Sequence, residues 1–101
     1  MLYVLTETWP GVSSVEVAKE SVRLLGMPLS SYMKMIGPFV VMGGDGMKCY
    51  TVYEVEKGQA DKALSEIAGR LAGLFRIPGY RASLEVAITP AEALPLVGLS
   101  L

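Results

Sequence analysis

Glu7, Glu54 and Glu85 each stand in a run of strand-forming residues, and a set of converging carboxylates is the most reactive arrangement this chain could build. If the three side chains share one face of a sheet, crowding raises one pKa and yields a general base. Arg81, Lys34 or Lys48 could instead neutralise them, which makes the group a polar ladder at an interface or a solvated strip. Strand register decides between these outcomes, and register is a property of pairing, so both stand open. Trp9 sits where the first strand runs out beside Pro10, and Tyr50 and Tyr53 share a later strand. Such aromatic groups could orient a phenolic or quinone-like ligand, although core and interface packing favours the same residue types. Met27, Met33, Met35, Met42 and Met47 are concentrated in one stretch. Their adaptable thioethers either line a pliable apolar pocket, with Met35 as a candidate, or fill gaps beneath an irregular strand. Cys49 has no histidine to activate it and reads as a small hydrophobe.

Composition removes whole classes of chemistry. With no histidine in 101 residues, imidazole catalysis is excluded, and neither a metal site nor a cofactor is expected. A single cysteine cannot form an internal disulfide, which points to a reducing, cytoplasmic setting. A net charge of −1 lacks the basic face that nucleic acid requires. The 51% apolar content and mean hydropathy of +0.42 predict a packed core rather than disorder. No membrane association is expected, because the uncharged run from Met35 to Gly44 is short and broken by Gly37 and Pro38. The opening Met1 to Glu7 reaches an acid without a positive region, so no targeting segment is read there. The length fits one domain over 1–101.

The elements that must position these residues follow from local pattern. Residues 2–9 are β-branched and aromatic and end at Pro10-Gly11, a first strand. Ser13-Ser14-Val15-Glu16 has capping-box spacing, and Val15, Ala18, Val22 and Leu25 recur as the apolar stripe of a helix over about 14–25. Runs at 32–42 and 47–56 flank Gly43-Gly44-Asp45-Gly46, the signature of a β-hairpin. Gly37-Pro38 marks its first strand as an edge with a bulge. A second helix spans 59–76, with Ala60, Ala63, Leu64, Ile67, Ala68, Leu71, Leu74 and Phe75 as its apolar stripe and Asp61, Lys62, Glu66 and Arg70 on its wet side. Gly69 and Gly73 would let that helix sit close to the sheet. A last strand covers 80–89, and Thr89-Pro90-Ala91-Glu92 opens a short helical turn stopped by Pro95.

The order β-α-β-β-α-β predicts an α+β, ferredoxin-like sandwich with an antiparallel sheet ordered 4-1-3-2 and both helices on one face. Apolar residues on both sides of the first and third strands imply a second covering layer, most economically another copy packed sheet to sheet. This layout, together with the opening Met-Leu-Tyr-Val-Leu-Thr-Glu, Tyr53-Glu54, and Val86-Ala87-Ile88-Thr89-Pro90-Ala91-Glu92-Ala93, resembles small members of the dimeric α+β-barrel superfamily. The resemblance implies a homodimer with ligand cavities between sheet and helices. Its relatives include cofactor-free monooxygenases, lactone isomerases and haem enzymes, the last commonly using a histidine that is missing here.

Three accounts of function stand at this point. The first is a homodimeric module binding a small apolar or aromatic molecule, with Trp9, Tyr53, Tyr50 and Met35 as candidate contacts. The second is a cofactor-free enzyme using Glu7, Glu54 or Glu85. The third is a non-catalytic scaffold that grips a partner through strand edges or through the apolar tail at 90–101, which could also pack on the partner protomer.

Overall fold

Alternation along the first segment is realised as strand β1, Leu2–Trp9, with Tyr3, Leu5, Glu7 and Trp9 buried and the residues between them half-buried. The computed structural model describes residues 1–101. After β1 come helix α1 (Ser14–Leu25), strands β2 (Met33–Gly43) and β3 (Gly46–Val55), helix α2 (Ala60–Leu71), strand β4 (Arg81–Ala87) and the short helix α3 (Pro90–Ala93). The strands form one four-stranded antiparallel sheet in the order β2-β3-β1-β4, which is the expected 4-1-3-2 read from the other edge. The protein is therefore a small α+β fold with an open sheet.

Both long helices pack on the sheet face that carries Tyr3 and Leu5. Val17 and Leu24 of α1, and Ala63, Ile67 and Leu71 of α2, join Tyr53, Val55, Leu74 and Tyr80 in one buried cluster. The opposite face carries Leu2, Val4, Thr6 and Thr8 of β1, paired with Glu54, Val52, Tyr50 and Lys48 of β3. No element of the protomer covers that face.

Several sequence expectations need correction. The α1 stripe of Val15, Ala18, Val22 and Leu25 is not its core face; Val17 and Leu24 are buried, while Val15, Val22 and Leu25 remain exposed. Ser13 does not close a capping box, because its hydroxyl donates to the carbonyl of Pro78 at 2.7 Å. The second helix stops at Leu71, and a separate turn, Leu74–Arg76, follows it. Arg70 is buried rather than wet, whereas Leu64 and Phe75 are exposed. Gly69 faces open space, and Gly73 leaves room for the Glu20 side chain of α1, not for the sheet. The turn after β4 passes through Pro95 as a 3-10 helix, Leu94–Val97, instead of ending there. The Thr89 capping box forms as read: Thr89 and Glu92 exchange side-chain and backbone hydrogen bonds. The following tail exposes Leu96, Val97, Leu99 and Leu101.

Strand β2 is an edge strand, and its pairing with β3 slips between Ile36 and Phe39, where Gly37-Pro38 lies. Pro38 lacks the N–H a regular ladder needs, so the bulge absorbs it. At the hairpin tip only Gly46 takes a positive φ, +122°, and a Cβ there would stand 2.7 Å from the Trp9 carbonyl oxygen. Gly44 has no such neighbour. Gly46→Ala should therefore lower stability by about 1–3 kcal/mol, while Gly44→Ala changes it little; urea unfolding of the two variants checks the difference.

Candidate functional site

Helix α1 runs back over the sheet from the Trp9 end, where the indole N–H donates to Ser14 Oγ at 3.3 Å, to the far end beside α2. Only Val17 and Leu24 anchor it in the core. Its Ala18, Val22 and Leu25 instead face a cleft of about 440 Å³ floored by β1 and β3 and walled by Met35, Pro38 and Val40 of β2. This volume suits a small organic molecule. The lining is apolar apart from Glu7, Ser14, Ser21, Thr51, Tyr53, Cys49 and Arg70.

The sequence candidates separate on this frame. Trp9, Tyr53 and Met35 line the cleft, with Met35 and Tyr53 paired across β2 and β3. Tyr50 stands on the uncovered face, opposite Thr6 and Phe39. The three glutamates do not converge. Glu7 points to the helices, while Glu54 opposes Leu2 and Glu85 opposes Val4, both on the other side of the sheet. The pleat alone forbids the cluster, since neighbouring strands in these registers put Glu7 on one face and the other two acids on the opposite one. Lys34, directly across from Glu54 on β2, belongs to that uncovered face as well.

Glu7 has acquired other company. The Tyr80 hydroxyl donates to its carboxylate, and Cys49 stands directly opposite on β3. Burial raises the Glu7 pKa above the ordinary carboxylate value, partly offset by the hydroxyl and thiol that donate to it. Burial, reinforced by the Glu7 charge, pushes the Cys49 thiol up to about 11, so it stays protonated and is no nucleophile at neutral pH. Tyr80 is raised as well, by burial first, then by its hydrogen bond to Glu7 and by the Glu7 charge.

Arg70 is the residue that sequence reasoning missed. It is only 9% exposed. Its guanidinium donates to the Leu24 carbonyl at 2.7 Å and to the Met27 carbonyl at 3.4 Å, closing the C-terminal end of α1. The signal was present: Arg70 falls on the same helical stripe as Ala63, Ile67 and Leu74. Tyr80 was likewise legible by parity, since it precedes the inward Ala82 and Leu84 by even steps. No group of three or more histidine, cysteine or acidic side chains comes together to hold a metal, and no helix is long and apolar enough to cross a membrane.

A raised native pKa means that the folded chain holds the Glu7 proton more tightly than the unfolded chain does. The stabilising contribution is thus present at low pH and is lost as pH rises through the native value. Glu7→Gln keeps an acceptor for Tyr80 and removes the charge. Its melting temperature should match the wild type below the ordinary value of 4.5. The variant should then melt above the wild type as pH rises toward neutrality, and a variant that gains nothing there contradicts the raised value.

No protein-family model matches the chain, and no curated protein or solved structure matches it either.

Proposed function

We propose that the chain is a homodimeric binding module that takes a small apolar or aromatic molecule into the cleft between α1 and the sheet. The observation that carries this reading is the misplaced stripe of α1. Ala18, Val22 and Leu25 form an apolar helical face that the protomer does not bury in its core, and it looks across the cleft at Met35 and Val40. Val22 is 72% exposed, and Val40 is 55% exposed. Apolar surface left open on two facing walls is stabilised by an apolar occupant. Trp9 at one end and Tyr53 at the other supply flat surfaces against which rings pack.

The ferredoxin-like assignment, and with it the kinship to dimeric α+β barrels, belongs to the same proposal. The β2-β3-β1-β4 order and the two helices on one face support it. The partner is a second copy seated on the uncovered sheet face, and charge argues for it. Lys48 and Arg81 lie toward one end of that face, and Glu54 and Glu85 toward the other, where Lys34 stands beside Glu54. Between them Ile36, Phe39, Tyr50 and Val52 make an apolar band across β2 and β3. A two-fold axis running across the strands lays Lys48 over the partner's Glu54 and brings the apolar bands together. An axis along the strands would set Ile36 against the partner's Glu85 instead.

A cofactor-free enzyme is the second reading, favoured by one observation: a desolvated carboxylate, Glu7, at the floor of an apolar cleft could serve as general base. A ligand recovered chemically unchanged speaks for the binding module, and turnover that Glu7→Gln abolishes speaks for the enzyme.

The neutral dye N-phenyl-1-naphthylamine tests the cleft. Its fluorescence should rise with the wild-type protein, and Ala18→Trp, which fills the space from an exposed helix position, should weaken binding about tenfold. Binding that ignores Ala18→Trp overturns the assignment. Light scattering after size exclusion should give a dimer mass that Val52→Glu reduces to a monomer; a monomeric wild type overturns the sheet-to-sheet pairing.

A further inference from the structure

Arg70 is a cation in an awkward place. It brings a guanidinium, it is nine-tenths buried, and no carboxylate lies within ion-pair distance of it. The chain's one ion pair joins Arg23 and Glu20 on the outer surface. Glu66, one turn before Arg70 on α2, feels the guanidinium charge but forms no ion pair with it: it accepts from the Ser30 amide at 3.2 Å, from the Ser30 hydroxyl, and from Tyr32 at 3.4 Å. Glu7 belongs to the far end of the cleft. It opposes Cys49, and Tyr53, which lies against Arg70, is four residues farther along β3, about 13 Å of strand.

Two backbone carbonyls and the negative end of the α1 dipole offset part of the guanidinium charge. With the Tyr53 hydroxyl, which also bonds Arg70, they engage three of its five N–H groups. A buried cation left with donors to spare, in the wall of an apolar cleft, is completed by an anion. From this geometry, and resting on the cleft being a ligand site, we infer that the ligand is an amphipathic acid, with a carboxylate or similar anionic head held by Arg70 and Tyr53 and an apolar body lying along Leu25, Met35 and Val40 toward Trp9. The C-terminal end of α1 and Tyr53 fix the guanidinium, so its planar fork is set before the head arrives. The opposite end, at Glu7, offers an anionic head no cation, and this sets the direction of entry.

Two displacers with one tail and opposite charges give the test. Wild-type protein loaded with N-phenyl-1-naphthylamine is titrated with decanoate and, separately, with decylamine. Decanoate should displace the dye at a concentration at least about tenfold lower, the effect of one charge-assisted contact. Arg70→Met should bring the ratio of the two displacement constants to about one, and Arg70→Lys, which keeps the charge but loses the fork, should leave it between. Equal displacement of the wild type by both compounds, or preference for decylamine, overturns the inference while leaving the apolar cleft intact. If Arg70→Met does not fold, the wild-type comparison of the two charges decides alone. A wild type that takes up no dye at all contradicts the ligand-site reading itself, a failure distinct from a wrong head group.

Discussion

One layer of two helices has to cover a sheet whose inner face is broader than they are. Everything distinctive in this protein follows from that mismatch. Helix α2 commits a full stripe, Ala63, Ile67 and Leu71, to the core, but α1 commits only Val17 and Leu24. The long edge strand β2 reaches past both helices, so Val40 and Met42 stay exposed on the side the helices should shield. Burial of apolar area is the dominant stabilising force in folding, and these side chains are the part of it the protomer leaves undone.

The cleft that results holds a buried carboxyl group and a buried guanidinium, and the chain deals with them differently. Glu7 is kept tolerable by two weak donors, Tyr80 and Cys49, and by a proton affinity raised through burial. Arg70 is accommodated by its backbone partners instead. It is held by carbonyl oxygens at the end of α1, the place where a helix dipole welcomes a cation. The cleft is thereby polar at its two ends, a carboxyl group at one and a guanidinium at the other, and apolar between them.

Much of the fold could be read from the residues because its signals are local. Period-two alternation divided β1 and β3 into two faces, both partly apolar, without saying which one the helices cover. The glycines at 43, 44 and 46 placed the hairpin, Gly37-Pro38 marked an edge strand with a bulge, and Thr89 to Glu92 gave a true capping box. What failed was of two kinds. The convergence of Glu7, Glu54 and Glu85 depended on registers set by pairing across the sheet, which no local pattern encodes. The α1 face was misread because two apolar stripes lie side by side on that helix. The richer one, through Ala18, Val22 and Leu25, borders the cleft instead of the core. Arg70 was assigned to solvent on residue type alone, although its helical spacing already put it with Ile67 and Leu74. In both cases the rule that apolar means inside and charged means outside gave way at the cleft, where a functional site is expected to break it.

The central claim is that an open, apolar, ligand-sized space separates α1 from β2 in the folded protein. A crystal pressurised with xenon tests it without assuming any ligand, because the gas settles in dry apolar voids. The account predicts xenon between Val22 and Leu25 on one wall and Met35 and Val40 on the other. A crystal in which α1 has collapsed onto β2, with no xenon between them, would contradict it.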